Sequence, residues 1–347
     1  MSVHFLPAFY PDELWYSVLC RYHVRSGNSS AKHSSIDLFG YHKQKVSVEL
    51  ATDIEQVLFG IPAPYISPDE ILMKHTLFPY YARFWSAKRK AETTAILTKG
   101  NDDSAVHRVG IYQSNSTGQP TFRYCPQCFV EDMKKYGEPY WHRLHQQQDL
   151  RVCTRHGCWL DDTRIPMRDS TQILSPALPD MIFSDTSPGP PTAQELELSA
   201  LYARNLTRPF NKSNGRIYVD VFDAELKRQG WRSPTGKNTR TKALSGAMRD
   251  FYKHFVTDDD ICINRLNCTF SASKSPAPRY ILQALFFLGM PFEELFVASK
   301  KIDVVEEINR RLAAGESQRS IGRKLSIDAA TVRRWAKKDA VGKQMQF

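Results

Sequence analysis

The sequence predicts a mainly α protein: an N-terminal helical domain with a paired-cysteine knuckle embedded in it, followed by helical domains of helix-turn-helix type. Three observations predict it. Apolar residues recur three and four positions apart over much of the chain, which is the spacing of one helix face. No series of alternating strands separated by hairpin turns is present. Four of the seven cysteines crowd between Cys125 and Cys158, so short strands are expected only around them.

The elements follow in order. Leu14, Trp15, Val18, Leu19 and Tyr22 share helical spacing between Pro11 and Gly27, with Asp12 placed to cap the start and Gly27 to close the end. Val48 to Phe59 reads as a further amphipathic stretch. The aromatic run from His75 to Tyr81, with Phe84 and Trp85, is expected to pack into a core, because aromatic rings bury large apolar areas. Six of the 20 prolines lie between Pro166 and Pro191, where periodicity disappears. Residues 166–192 are therefore read as a linker after a first domain, 1–165. Helical signals resume at Ala193 to Tyr202, at Val219 to Arg228 before Gly230, and at Thr239 to Phe255. They define a basic helical domain, 193–300, followed by a last domain, 301–347.

A chain of 347 residues is long enough for two or three domains. With 41% hydrophobic and 24% charged residues it has an ordinary globular composition, which excludes wholesale disorder and fibrous repeats. No apolar run reaches the roughly 18 residues of a membrane span. The N-terminus lacks the basic and apolar blocks of an export signal, so the expected location is cytoplasmic. The net charge of +10 points toward a polyanionic partner.

The cysteines carry the sharpest chemistry. Cys125 and Cys128 are separated by two residues, as are Cys153 and His156, with 24 residues between the pairs. A two-residue gap lets both side chains of a pair reach one tetrahedral ion at about 2.0 to 2.3 Å, and two such pairs complete a closed structural zinc site. A filled shell has no place for water, so the ion would hold the fold and catalyse nothing. His142, His145 and Cys158 lie close in sequence, and any of them is an alternative for one of the four.

The positive excess is concentrated late. Residues 300–347 hold twelve Lys or Arg against six Asp or Glu. Ile321, Leu325, Ile327, Val332 and Trp335 give the pattern of a helix-turn-helix, with Gly322 allowing close helix approach, Ser326 and Ile327 in the turn and Asp328 as a cap. Val304 to Ala313 supplies Ile308 and Leu312 to the shared core. Ala329, Ala330, Arg333, Arg334 and Lys337 then face outward on a recognition helix, where arginines meet guanine edges or phosphates of double-stranded DNA. A second basic stretch from Leu226 to Arg249 contains no acid and offers Lys237, Arg240 and Lys242 to phosphate. Asp258, Asp259 and Asp260 read as a solvated acidic loop, and no constellation for cleavage chemistry accompanies them.

Read together, Phe9-Tyr10-Pro11-Asp12-Glu13-Leu14, the run His75 to Pro79, Arg123 to Cys128, Tyr136-Gly137, Trp141 and Cys153 to Gly157 resemble the TniQ/TnsD family of transposition target-selection proteins. The resemblance spans about the first 160 residues and weakens beyond the proline-rich segment. It implies a non-enzymatic adaptor. Such proteins bind a DNA attachment site (TnsD type) or join an RNA-guided CRISPR Cascade complex (TniQ type), and recruit the AAA+ ATPase TnsC, after which separate transposase subunits insert the element. Zinc ligands carried over by the resemblance are Cys125, Cys128, Cys153 and His156. The basic helix-turn-helix favours the TnsD-like form, although many TnsD proteins continue with further DNA-binding helices.

Overall fold

The computed structural model describes residues 5–61, 65–99, 120–167, 173–180, 189–210, 218–233, 239–253, 255–271, 274–296, 304–325, 329–330 and 332–333. These divide into two compact units, 1–292 and 293–347. The fold is mainly helical, and the described residues contain one two-stranded sheet.

In the larger unit, α1 (Trp15–Ser26) follows Leu14 and buries Val18, Leu19 and Tyr22, and Gly27 ends it with a left-handed φ of 71°. Its start differs from expectation: Leu14 occupies the cap position and Asp12, itself at φ 53°, does not cap this helix. The carboxylate of Asp12 instead binds Arg143 and the backbone amide of Leu144, a partner that local sequence does not reveal. Next come α2 (Ala31–Phe39), capped by Ser30, and α3 (Ile54–Phe59). The amphipathic stretch from Val48 is thus helical only in its second half. Asp53 sits in the left-handed region and pairs with the buried Lys43, which breaks the helix before Ile54.

Helices α4 (Pro68–Lys74), α5 (Phe78–Ala82) and α6 (Ala87–Lys99) complete the N-terminal layer. Phe78, Tyr80, Phe84 and Trp85 are buried, so the aromatic run is core. β1 (Thr121–Tyr124) leads into α7 (Pro126–Tyr136), the short α8 (Arg143–Gln146) and β2 (Asp161–Pro166), which pairs antiparallel with β1.

The later helices are α9 (Ala193–Thr207), α10 (Tyr218–Arg228), α11 (Thr241–Tyr252), α12 (Ile263–Thr269) and α13 (Pro278–Phe287). A capping box between Thr192 and Glu195 starts α9, satisfying helix-start donors reciprocally. Several bonds join these helices to the earlier ones. Arg83 donates to the carbonyls of Asn205 at 2.6 Å and Arg208 at 2.7 Å; Tyr80 donates at 2.7 Å to Asp149, in the segment before β2, and Asp149 links onward to α13. Arg279 pairs with Asp149 at 3.5 Å and with Asp260 at 3.2 Å. Asp258 and Asp259 are exposed, but Asp260 is not the solvated acid expected: burial raises its pKa, with Arg279 pulling it back.

In the smaller unit, α14 (Val304–Ala313) and α15 (Gln318–Leu325) pack together, and Ile308, Ile321 and Val332 are fully buried. Gly322 is buried as well.

Candidate metal centre

Three separate parts of the sequence meet at the start of α1. The backbone amide of Leu14 donates to the carbonyl of Trp141 at 3.0 Å, and that of Trp15 to the carbonyl of His75 at 2.7 Å. Ser17 accepts from the Trp141 amide at 3.1 Å, and Tyr140 donates to the Pro11 carbonyl at 2.9 Å. The ring of Tyr10 stacks on Tyr136, with centroids 4.0 Å apart, while the Arg21 guanidinium lies 3.7 Å from the centre of the same Tyr10 ring. The buried Glu13 takes Arg21 at 3.0 Å. Residues 9–14, 75 and 136–143 are therefore one structural knot, which anchors the segment between the two cysteine pairs.

The pairs themselves are set by the ribbon. β1 delivers Cys125 to the cap position of α7, where Pro126 opens the helix and the Cys128 amide donates to the Cys125 sulfur at 3.5 Å. The second pair lies on a tight loop in which the Cys153 amide donates to the Cys158 carbonyl and the Gly157 amide to the Cys153 carbonyl, both at 2.8 Å. Gly157 takes a left-handed φ of 63°, which a residue without a side chain adopts at no steric cost. Since β2 leaves this loop and Asp161 pairs with Tyr124, the ribbon brings the two turns face to face.

Cys125, Cys128, Cys153 and His156 offer donor atoms that all lie within 4.8 Å of one another. The His156 Nδ1 is 3.3 Å from the sulfurs of Cys125 and Cys128 and 3.7 Å from that of Cys153, and the sulfurs of Cys128 and Cys153 are 3.8 Å apart. Those separations are the edges expected of a tetrahedron whose arms are about 2.0 to 2.3 Å long. The donor set therefore fits a tetrahedral cation such as zinc. All three cysteines are buried. Hydrogen bonds from Cys128 and Cys153 pull the Cys125 thiol well down, to about 3, while its sharing with Cys125 pushes Cys128 up.

Surrounding groups orient the donors. The Nε2 of His156 faces Glu131 at 3.3 Å, leaving Nδ1 toward the sulfurs. Sequence reading missed Glu131. The available signal was its position three residues after Cys128, on the same face of α7. Of the alternative ligands, His142 is engaged by Asp132 at 2.7 Å, and His145 is buried against Cys153 from outside the four-donor group, its pKa lowered by burial to about 4. The Cys158 sulfur stands 3.5 Å from that of Cys125.

The expected DNA contacts are divided between the two units. Arg240 and Lys242 are exposed around the start of α11, whereas Lys237 lies outside the described residues. In the smaller unit Ala330 and Arg333 are exposed and Ala329 is half-buried, and Arg334 and Lys337 lie outside the described residues. No helix among the described residues is long and apolar enough to cross a membrane.

Fold and site together define a helical protein whose N-terminal half carries a knuckle of three cysteines and one histidine with the geometry to hold a metal ion. Residues 4–160 match the TniQ family model. It is also similar to the transposon Tn7 transposition protein TnsD of Escherichia coli, with 29% identity over 158 residues, 44% of this chain. The match spans 30% of that relative's length.

Proposed function

We propose that this chain is a target-site selector for DNA transposition. It binds attachment-site DNA through its basic helices and recruits the AAA+ regulator TnsC, and through it the transposase, without breaking bonds itself. The observation that supports this most is the match over residues 4–160, inside which all four ligand positions fold onto one another. In this reading Cys125, Cys128, Cys153 and His156 hold a structural zinc ion. When bound, zinc supplies cross-linking and no open coordination position. The protein's own residues then present surfaces: the knot at Asp12 and Arg143 fixes the N-terminal layer for the ATPase, while Arg240, Lys242, Ala329, Ala330, Arg333, Arg334, Lys337 and Lys237 serve DNA.

Footprinting of the purified chain on candidate attachment-site fragments tests the reading. Protection of a discrete site, together with capture of the ATPase, is the expected result. Absence of protection, with co-purification of an RNA-guided Cascade complex, would transfer the assignment to the adaptor form. Strand scission by the purified chain with magnesium would overturn the non-enzymatic reading.

A further inference from the structure

We propose that Cys158 is an alternative fourth ligand, so that the site closes on its ion either through the imidazole of His156 or, as a four-thiolate site, through the sulfur of Cys158. This rests on the metal reading above and extends it to a site with two closed states.

The Cys158 sulfur lies 3.5 Å from the Cys125 sulfur, a separation like the 3.3 to 3.8 Å between the His156 Nδ1 and the three cysteine sulfurs and between the sulfurs of Cys128 and Cys153. It is thus one such edge from Cys125 alone and stands outside the four-donor group, so its entry as a ligand would require the loop to carry it toward Cys128 and Cys153. The backbone explains why both candidates are near. His156 and Cys158 leave the same loop, which is closed by the bond from the Cys153 amide to the Cys158 carbonyl and by the bridge between Val152 and Trp159. Four residues separate Cys153 from Cys158 and two separate Cys153 from His156, and both gaps lie within the two to four typical of paired zinc ligands.

Support for the two candidates differs in kind. His156 is held from behind by Glu131, whose side chain is 44% exposed and also pairs with Arg155. That contact is open to water and salt. Cys158 is half-buried beside Leu160 against the buried cysteines. Exchange requires the Cys158 thiol to lose its proton, which passes to water or to the freed Nδ1 of His156. One S–metal bond forms as one N–metal bond breaks, with no change of oxidation state. Soft cations favour a fourth thiolate over imidazole, so the four-thiolate state should gain with cadmium relative to zinc.

The test uses the full chain with cobalt(II) as a visible probe, in wild type, His156→Ala, Cys158→Ser and the double variant. Cys158→Ser should bind one ion with the wild-type spectrum. His156→Ala should bind one ion within about tenfold of wild-type affinity, and its sulfur-to-metal charge-transfer band should grow by about one third, as three thiolates become four. The double variant should lose at least about 100-fold in affinity. Should His156→Ala bind as weakly as the double variant, fail to fold where Cys158→Ser folds, or keep a three-thiolate band, the proposal is overturned and the site with His156 as its one fourth ligand stands. A wild type that binds no cobalt or zinc removes both. The cadmium NMR shift of the loaded wild type gives a second measurement: a four-sulfur shift supports exchange, and a three-sulfur, one-nitrogen shift argues against it.

Discussion

The guanidinium of Arg143 donates to the carboxylate of Asp12 at 2.9 Å across 131 positions of chain, and the same carboxylate accepts the Leu144 amide at 2.8 Å. The Asp12 carbonyl in turn accepts the Arg143 amide at 2.6 Å. One residue therefore receives three bonds from the first turn of α8, which holds α1 and the segment leading to the second cysteine pair in register.

Asp12→Ala should remove the anion from a largely buried guanidinium, whose side chain is 8% exposed, and lower unfolding free energy by about 2 to 3 kcal/mol. Asp12→Asn should recover part of this, because asparagine tolerates a left-handed backbone and still accepts the Leu144 amide. Urea unfolding of the three proteins checks the order wild type, Asn, Ala.

Metal removal should act on the fold. Structural zinc contributes about 10 to 16 kcal/mol in small domains, so Cys128→Ser is expected to lose the ion and leave the region of residues 120–166 open to proteolysis. Cys262→Ser, at a half-buried cysteine outside the cluster, should retain one ion per chain. Elemental analysis with limited proteolysis separates the two, and equal metal content in both variants would remove Cys128 from the ligand set.

These two cases show what the sequence makes legible. The cysteine pairs are readable because ligation imposes a short local gap, and the strands flanking them follow from the need to turn twice. Asp12 is misread as a helix cap because a cap signature is also local, whereas its actual partner is remote. The shortening of the Val48 stretch escapes for a similar reason: Asp53 breaks the helix to meet Lys43, ten residues earlier. Asp260 belongs to the same class, since its partner Arg279 lies on another helix. Contacts set by tertiary structure leave no periodic trace.

His75 gives a pH dependence. Burial lowers its pKa below 6.5, against the opposing hydrogen bond between its Nδ1 and the Glu13 carbonyl at 2.7 Å. A histidine with a depressed folded-state pKa contributes stability that is present above the unfolded value, about 6.5, and lost as pH falls through the folded one. Unfolding free energy should therefore fall below pH about 6.5, with a slope of at most about 1.4 kcal/mol per pH unit from this one proton. His75→Gln should flatten that limb while lowering stability at pH 7. Denaturant titrations between pH 5 and pH 8, on the order of one per half unit, measure it. An unchanged limb in the variant would assign the acid sensitivity to other groups.

The DNA-binding reading makes a distinction between charge and shape. Arg333 is exposed on the smaller unit, where its Nε lies 3.4 Å from the Gln318 side chain, while Val332 beside it is fully buried. Arg333→Ala should therefore keep the helical pair folded while removing one cation from its surface. If that cation meets a phosphate, binding weakens for all sequences and the slope of log affinity against log salt falls by about 1. If it meets a guanine edge, discrimination at one base position relaxes by about 1 to 3 kcal/mol. Arg240→Ala on the larger unit should show the phosphate behaviour, because it stands at the start of α11 in a stretch without acids. Titrations at several salt concentrations on matched and scrambled DNA resolve the two modes. Variants that bind both DNAs as the wild type does, with unchanged salt slopes, would take these residues out of the interface. Val332→Asp is the complementary control: it buries a charge in the core of the smaller unit and should abolish binding by unfolding that unit, visible as lost helical signal.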